Sequence, residues 1–253
     1  MKKTFLNHVP IVGMIQCRTA EECIAKIERS LSAGADAIGV QLCRLQKEDR
    51  SEKTLRRIFD ACGDQPIYVT SYRYGESEGM GDEECAELLL RALTCGATLL
   101  DIPGDLFAPN SRQLTTEKCA LEKQRRWIDT LHAAGGEVLI STHDFRDLSG
   151  DEVFSIAEAQ AEQGADILKI VVKSGDVRRL TEYLSIIQRV KTELHKQILL
   201  LDSGACSTVL RKLGGFLGSC MVLGVESHNA LDTPAQPNLK ELLQIRNAME
   251  GIT

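Results

Sequence analysis

Short apolar runs alternate with longer amphipathic stretches from one end of the chain to the other. The apolar runs fall at 11–16, 37–42, 66–71, 98–102, 137–141, 167–172, 197–201 and 216–223. Most are continuous, as in ILKIVV and ILLL, which is the composition of parallel strands covered on both faces. Between them, helical spacing predicts helices over 19–32, 52–61, 82–94, 121–134, 151–162, 176–195 and 239–249, with a shorter one at 207–213. In the first, Cys23, Ile24, Ile27 and Leu31 share one face, and Thr19 with Glu22 reads as a capping box. Gly34, Gly63, Gly96, Gly135 and Gly164 each stand after a helix and before a strand, as left-handed C-caps do. SAGADAIGV, TCGATLLDI and EQGADILKI repeat that junction. Eight strands with intervening helices and no linker-like break predict an α/β chain folded as a single (β/α)8 TIM barrel domain over residues 1–253. The rival, a doubly wound open sheet, is characterised by a Gly-rich phosphate turn after its first strand, and GMIQCRT is not one.

In a barrel, the chemistry gathers at the C-terminal ends of the strands. Lys169 lies in the middle of the sixth run, ADILKIVVK. Burial there strips its hydration and favours the neutral amine, the nucleophile that makes an imine with a ketone or aldehyde. The competing reading is a lysine that reaches solvent or pairs with a carboxylate. His143 follows the fifth run in ISTHDF, on the strand neighbouring Lys169, where a group titrating near neutrality can carry protons. Asp144 could orient that ring or only cap the next turn. The third run ends in TSYRYGESEG, with Arg73 as a cation and Glu76 and Glu78 as carboxylates on a Gly-rich loop. Asp101 closes the fourth run, Arg211 precedes the eighth, and DTPAQP supplies Asp232 and Gln236 on a loop that could cover the site. Arginine offers a planar fork for a carboxylate or phosphate.

Composition narrows the class without changing the picture. The chain has 253 residues, 43% hydrophobic and 26% charged, as in an ordinary globular protein. The formal net charge of −6 disfavours nucleic acid as a partner, while leaving room for an anionic small molecule in a locally basic cleft. No run reaches the length of a membrane span, so no membrane partner is expected. At the N-terminus, Lys2 and Lys3 are followed by a stretch that Asn7 and His8 interrupt, which reads as mature protein rather than a leader. The nine scattered cysteines form no C-x-x-C pair and read as reduced cytoplasmic thiols, not as metal ligands or bridges.

STHDF at 141–145, GADILKIVVKSGDV at 164–177, RKLGGFLGS at 211–219 and the PAQ of DTPAQP together resemble the type I 3-dehydroquinate dehydratase family, over nearly the whole chain. The resemblance implies a cytoplasmic lyase of the shikimate pathway, often a homodimer, acting on a small anionic hydroxyketone. It implies that Lys169 forms a Schiff base with the substrate ketone and that His143 is the general acid/base. Arg211 would hold the substrate carboxylate, and Gln236, with Asp232 at the loop serine's place, would close over the ring. Arg73 and Glu78 resemble the family's Arg…Glu-Gly-Gly segment, Glu78 falling to the catalytic set and Arg73 to substrate binding, with one extra residue between them and Met80 replacing the second glycine. No metal or organic cofactor is required, because the lysine supplies the electron sink.

The departures lie after the second strand. Where the family has Glu-x-Arg-x-Asp, this chain reads Gly39-Val40-Gln41-Leu42-Cys43, so Gln41 takes the substrate-binding place of the arginine unless Arg44 substitutes from a shifted register. These changes put substrate identity in question, not the imine chemistry. Two other readings follow. One is a different imine-forming lyase or a class I aldolase, with Gly204, Gly214 and Gly215 cradling a sugar phosphate. The other is a non-catalytic homologue that only binds a ligand.

Overall fold

The computed structural model describes residues 4–5, 9–73 and 75–249. Lys2, Lys3, Asn7 and His8, on which the reading of the N-terminus turns, lie outside the described residues. Strands and helices alternate in the order β1 (Ile11–Ile15), α1 (Ala20–Ser32), β2 (Ala37–Gln41), α2 (Glu52–Asp60), β3 (Ile67–Thr70), α3 (Asp82–Thr94), β4 (Leu99–Pro103), α4 (Lys118–Ala133), β5 (Glu137–His143) and α5 (Gly150–Glu162). They continue with β6 (Ile167–Val172), α6 (Val177–Arg189), β7 (Gln197–Asp202), α7 (Ser207–Leu213), β8 (Val222–Gly224) and α8 (Leu239–Met249). Every paired strand is parallel to its neighbour, in the order β7-β6-β5-β4-β3-β2-β1-β8. The seam between β7 and β8 is bridged where the Cys220 amide donates to the Ile198 carbonyl at 2.8 Å. The result is a nearly closed (β/α)8 barrel.

The period of two along each strand divides the apolar residues into two cores. In β6, Ile167 and Val171 join the cluster inside the barrel with Val12, Tyr68, Leu99 and Leu199. Leu168, Ile170 and Val172 join the cluster between sheet and helices. Lys169 has the parity of Ile167 and Val171 and therefore projects into the lumen. The same parity directs Asp101 of β4 inward beside Leu99, and His143 of β5 inward beside Leu139. The five glycines after the helices all have φ between +56° and +121°, which a side chain would resist. All nine cysteines are free thiols, eight of them buried.

Apart from shifts of up to three residues at element ends, three details depart from the sequence pattern. The run 216–223 forms strand only from Val222, because Gly214 and Gly215 prolong the turns of α7. There Leu217 donates to Leu213 and Gly218 to Gly215, and Gly218 adopts φ +111°. The helix expected over 176–195 widens into a π-helical turn at Val190–Leu194, which ends on left-handed His195. Thr19 does cap α1 by accepting from the Glu22 amide, but the Glu22 carboxylate takes the Arg18 amide, one residue beyond a capping box.

Candidate active site

The C-terminal mouth of the barrel opens into a cavity of about 480 Å³, within the range of small-molecule sites. Lys169, His143, Arg73, Arg211, Gln41 and Gln236 all line it, as the sequence expects. Met14, Val171, Leu201 and Leu223 supply its apolar lining.

Lys169 is 5% exposed, and the alternative that the sequence left open is the one realised: it is paired. Its Nζ donates to Asp101 Oδ2 at 2.8 Å, to the Tyr68 hydroxyl at 3.0 Å and to the Tyr72 hydroxyl at 2.5 Å. Both tyrosines in turn donate to the same Asp101 oxygen, at 2.5 and 2.7 Å. A lone buried charge costs several kcal/mol, and this net of donors around one carboxylate offsets that cost. Burial alone would raise the Asp101 carboxyl; the Lys169 ammonium, its hydrogen bond and those of Ser141 and Tyr68 together outweigh it, so Asp101 is held below the usual range. Asp101 is thus the carboxylate within reach of a proton on Lys169 Nζ. Neither tyrosine is marked by sequence reasoning, since each reads as an aromatic strand residue.

His143 ends β5, beside Val171 in register. Its Nδ1 lies 2.8 Å from Gln113 Oε1, and the edge of its ring meets Tyr72 with centroids 5.3 Å apart and planes at 89°. Of the two roles open to Asp144, the structure shows the second: it accepts from the Arg146 amide at 3.2 Å, capping the turn, and pairs with the Arg146 guanidinium, and it does not hold the ring. Burial, followed by the nearby Lys169 and Arg211 cations, pushes the His143 ring down to about 3, with Asp101 opposing. The ring is therefore a neutral base in the ligand-free protein.

The sign of the linked stability follows. Below the ordinary value of 6.5, the unfolded ring takes up a proton that the folded ring refuses until about 3, so acidification through that window lowers stability. An NMR titration of His143 between pH 8 and pH 5 is expected to show no protonation, and a midpoint near 6.5 would contradict this environment.

The two arginines are not equivalent. Arg73 is saturated: its Nε donates to Asp82 at 2.6 Å and its Nη1 to Asp105 at 2.8 Å. Burial works against its charge, but these two carboxylates outweigh it and hold the guanidinium above its usual range. Arg211, on α7, spends only Nε, on the Asp202 carbonyl at 2.8 Å, among the described residues. Burial pulls its guanidinium below the ordinary value despite Asp202, and its terminal amino groups remain for a ligand carboxylate. Gln236 is held beside Gln16, whose Nε2 lies 3.5 Å from its Oε1.

Three expected positions do not meet the cavity. Glu78 is exposed on the loop after β3, and its neighbour Glu76 is drawn to Arg18 at 2.9 Å. Asp232 is buried on the far side of its loop. It accepts from the Asn229 amide at 2.7 Å and lies 3.5 Å from Lys26 of α1, so it holds the loop to the barrel instead of touching a ligand. Arg44 sits in the turn after β2, outside the cavity wall. Gly39 packs against Met14: a Cβ at 39 would lie 2.3 Å from Met14 Sδ. Met14 fills the space that a longer side chain at 39 needs. Of the glycines near β7 and β8 that could cradle a phosphate, Gly204 donates its amide to Asp202 Oδ1 at 2.8 Å and Gly214 donates its own to the Leu210 carbonyl at 2.9 Å.

A parallel barrel with a buried lysine, its carboxylate partner and a neutral histidine around one cavity defines a barrel enzyme for a small-molecule substrate. The chain belongs to the type I 3-dehydroquinase family, whose model matches residues 11–253. It is 24% identical over 246 residues to the 3-dehydroquinate dehydratase of Klebsiella pneumoniae, spanning 94% of this chain and 91% of that one. The type I 3-dehydroquinate dehydratase of Clostridium difficile, solved with covalently modified comenic acid, superposes with a TM-score of 0.81 at 19% identity, covering 100% of this chain and 96% of that one. The 3-dehydroquinate dehydratase of Geobacillus kaustophilus gives 0.80 at 15% identity, covering 98% of this chain and 93% of that one. At these identities the two structures establish a shared fold, and the family match carries the assignment.

Proposed function

We propose that this chain dehydrates 3-dehydroquinate to 3-dehydroshikimate through an imine on Lys169. The observation that carries the reading is the Lys169 Nζ, buried in the lumen 2.8 Å from Asp101 and sharing one cavity with His143. Lys169 first yields its proton toward Asp101. The neutral amine then attacks the ketone carbon, and the carbinolamine loses water to give a protonated imine. That cation draws electrons from the neighbouring carbon, whose proton His143 Nε2 removes. The imidazolium formed returns this proton to the departing hydroxyl, which leaves as water. Hydrolysis of the imine releases the enone and restores the amine. Arg211 binds the substrate carboxylate, because Arg73 is already neutralised by two aspartates and serves to set the cavity wall. Gln41 and Gln236, on either side of β1, contact the ring hydroxyls. Glu78 and Asp232 take no part in this assignment, for the geometric reasons given above.

The reading extends to one catalytic domain over 1–253, acting in the cytoplasm as a homodimer, with family likeness as its support. No helix among the described residues is long and apolar enough to cross a membrane.

The test is to mix purified protein with 3-dehydroquinate and follow the ultraviolet absorbance of the conjugated product. Steady growth of that absorbance is expected. No growth from folded protein would move the substrate to another ketone.

A further inference from the structure

Gln113 lies in the excursion between β4 and α4, thirty residues from His143 in the chain. Its Oε1 receives both the His143 backbone N–H at 3.2 Å and His143 Nδ1 at 2.8 Å. The backbone N–H can only donate, so the amide must present its oxygen there. An oxygen cannot donate in return, so Nδ1 must carry the hydrogen, which leaves Nε2 as the unprotonated nitrogen. The loop is built to hold this amide. The Gln113 carbonyl accepts from Thr142 Oγ1 at 3.1 Å, and Leu114 bridges to Gly104. A Cβ at Gly104 would lie 2.8 Å from the Gln113 carbonyl, so the close approach depends on that glycine. Gln113 itself is kept at φ +49°, a conformation uncommon for a residue with a side chain.

We propose that Gln113 is a positioning residue that locks His143 in the Nδ1–H tautomer, with Nε2 ready to take the substrate proton. The inference rests on the proton-carrying role given to His143 above. An amide fixes the ring without adding charge. The ring already faces charged or titratable groups from every neighbouring element: Lys169 of β6, Asp101 of β4, Arg211 of α7 and Tyr72 after β3. Asp144, next in the chain, is spent on Arg146. A carboxylate in place of the amide would favour the imidazolium and weaken the ring as an acid.

Two variants test this. Gln113→Gly removes the side chain while suiting the left-handed backbone, so folding is preserved. Gln113→Glu restores the acceptor with a charge. The readouts are the ¹⁵N shifts of the His143 ring, and kcat and KM against pH. In the unaltered protein, Nδ1 is expected to be protonated and Nε2 not. Gln113→Gly is expected to mix the tautomers and lower kcat by about 10- to 100-fold, with KM within about twofold. Gln113→Glu should recover the tautomer and move the acid limb of kcat/KM up by at least about one pH unit. A protonated Nε2 in the unaltered protein, or an unchanged tautomer and kcat in Gln113→Gly, overturns the proposal. If 3-dehydroquinate is not turned over at all, the dehydratase reading falls alone, and the ¹⁵N spectra still decide. The same tautomer with and without the side chain refutes the lock, and a changed one supports it.

Discussion

Replacing Lys169 with alanine is expected to lower kcat for enone formation by roughly 10^4- to 10^6-fold, the scale seen when a covalent nucleophile is removed. No other lysine among the described residues lines the cavity to form the imine in its place. The substitution also strands Asp101, which is fully buried and keeps the donors of Tyr68 and Tyr72 but loses its cation. Breaking one side of a buried ion pair costs about 3–5 kcal/mol. The measurement is therefore made on protein shown by circular dichroism to be folded, and repeated in the double variant Lys169→Met with Asp101→Asn, where no charge is left unpaired. Loss of turnover in both separates chemistry from stability. Near-normal turnover in either contradicts the role of Lys169.

His143→Ala is expected to lower kcat by about 10²- to 10⁴-fold while leaving the lysine able to trap substrate. The histidine is charged with moving protons, not with forming the carbon–nitrogen bond. Borohydride should therefore still label the protein in the presence of 3-dehydroquinate, at a reduced rate. The residual rate comes from Lys169 and from Arg211, which continues to anchor the carboxylate. A variant that keeps full turnover, or one that loses labelling altogether, would assign the proton transfer or the attack differently.

Much of the barrel is legible in the sequence because its signals are local. Glycine after each helix, continuous apolar strands and capped helix starts all act within a turn or two of the chain. Lys169, Asp101 and His143 are legible for the same reason: each is a polar residue on the inward parity of an apolar strand. The partners that make them a site are not. Tyr68 and Lys169 are 101 residues apart and meet only because β3 and β6 face each other across the lumen. An aromatic in a strand reads as core, and its hydroxyl is useful only once the fold supplies Asp101. Gln113 lies in a polar loop, NSRQLTT, that carries no periodic signal. Glu78 and Asp232 show the opposite error. Their chain positions suit a site, but one side chain is left exposed on its loop and the other is committed to Lys26 and Asn229. Charge near a strand end indicates a neighbourhood, and the direction of a loop side chain depends on contacts that the local sequence does not encode.

The departures after β2 acquire a physical account in the same way. Gly39 and Met14 share one space that a longer side chain at 39 would contest, and Gln41 keeps a polar group at the rim of the cavity. The polar side of the cavity, from Tyr72 through Lys169 and His143 to Arg211, is left intact by these changes.

The most direct test of the account is borohydride reduction of the protein during turnover of 3-dehydroquinate, followed by mass spectrometry of its peptides. The account predicts a single reduced adduct on Lys169 and loss of activity in proportion to it. Turnover that proceeds with no adduct, or with the adduct on a different lysine, would contradict it.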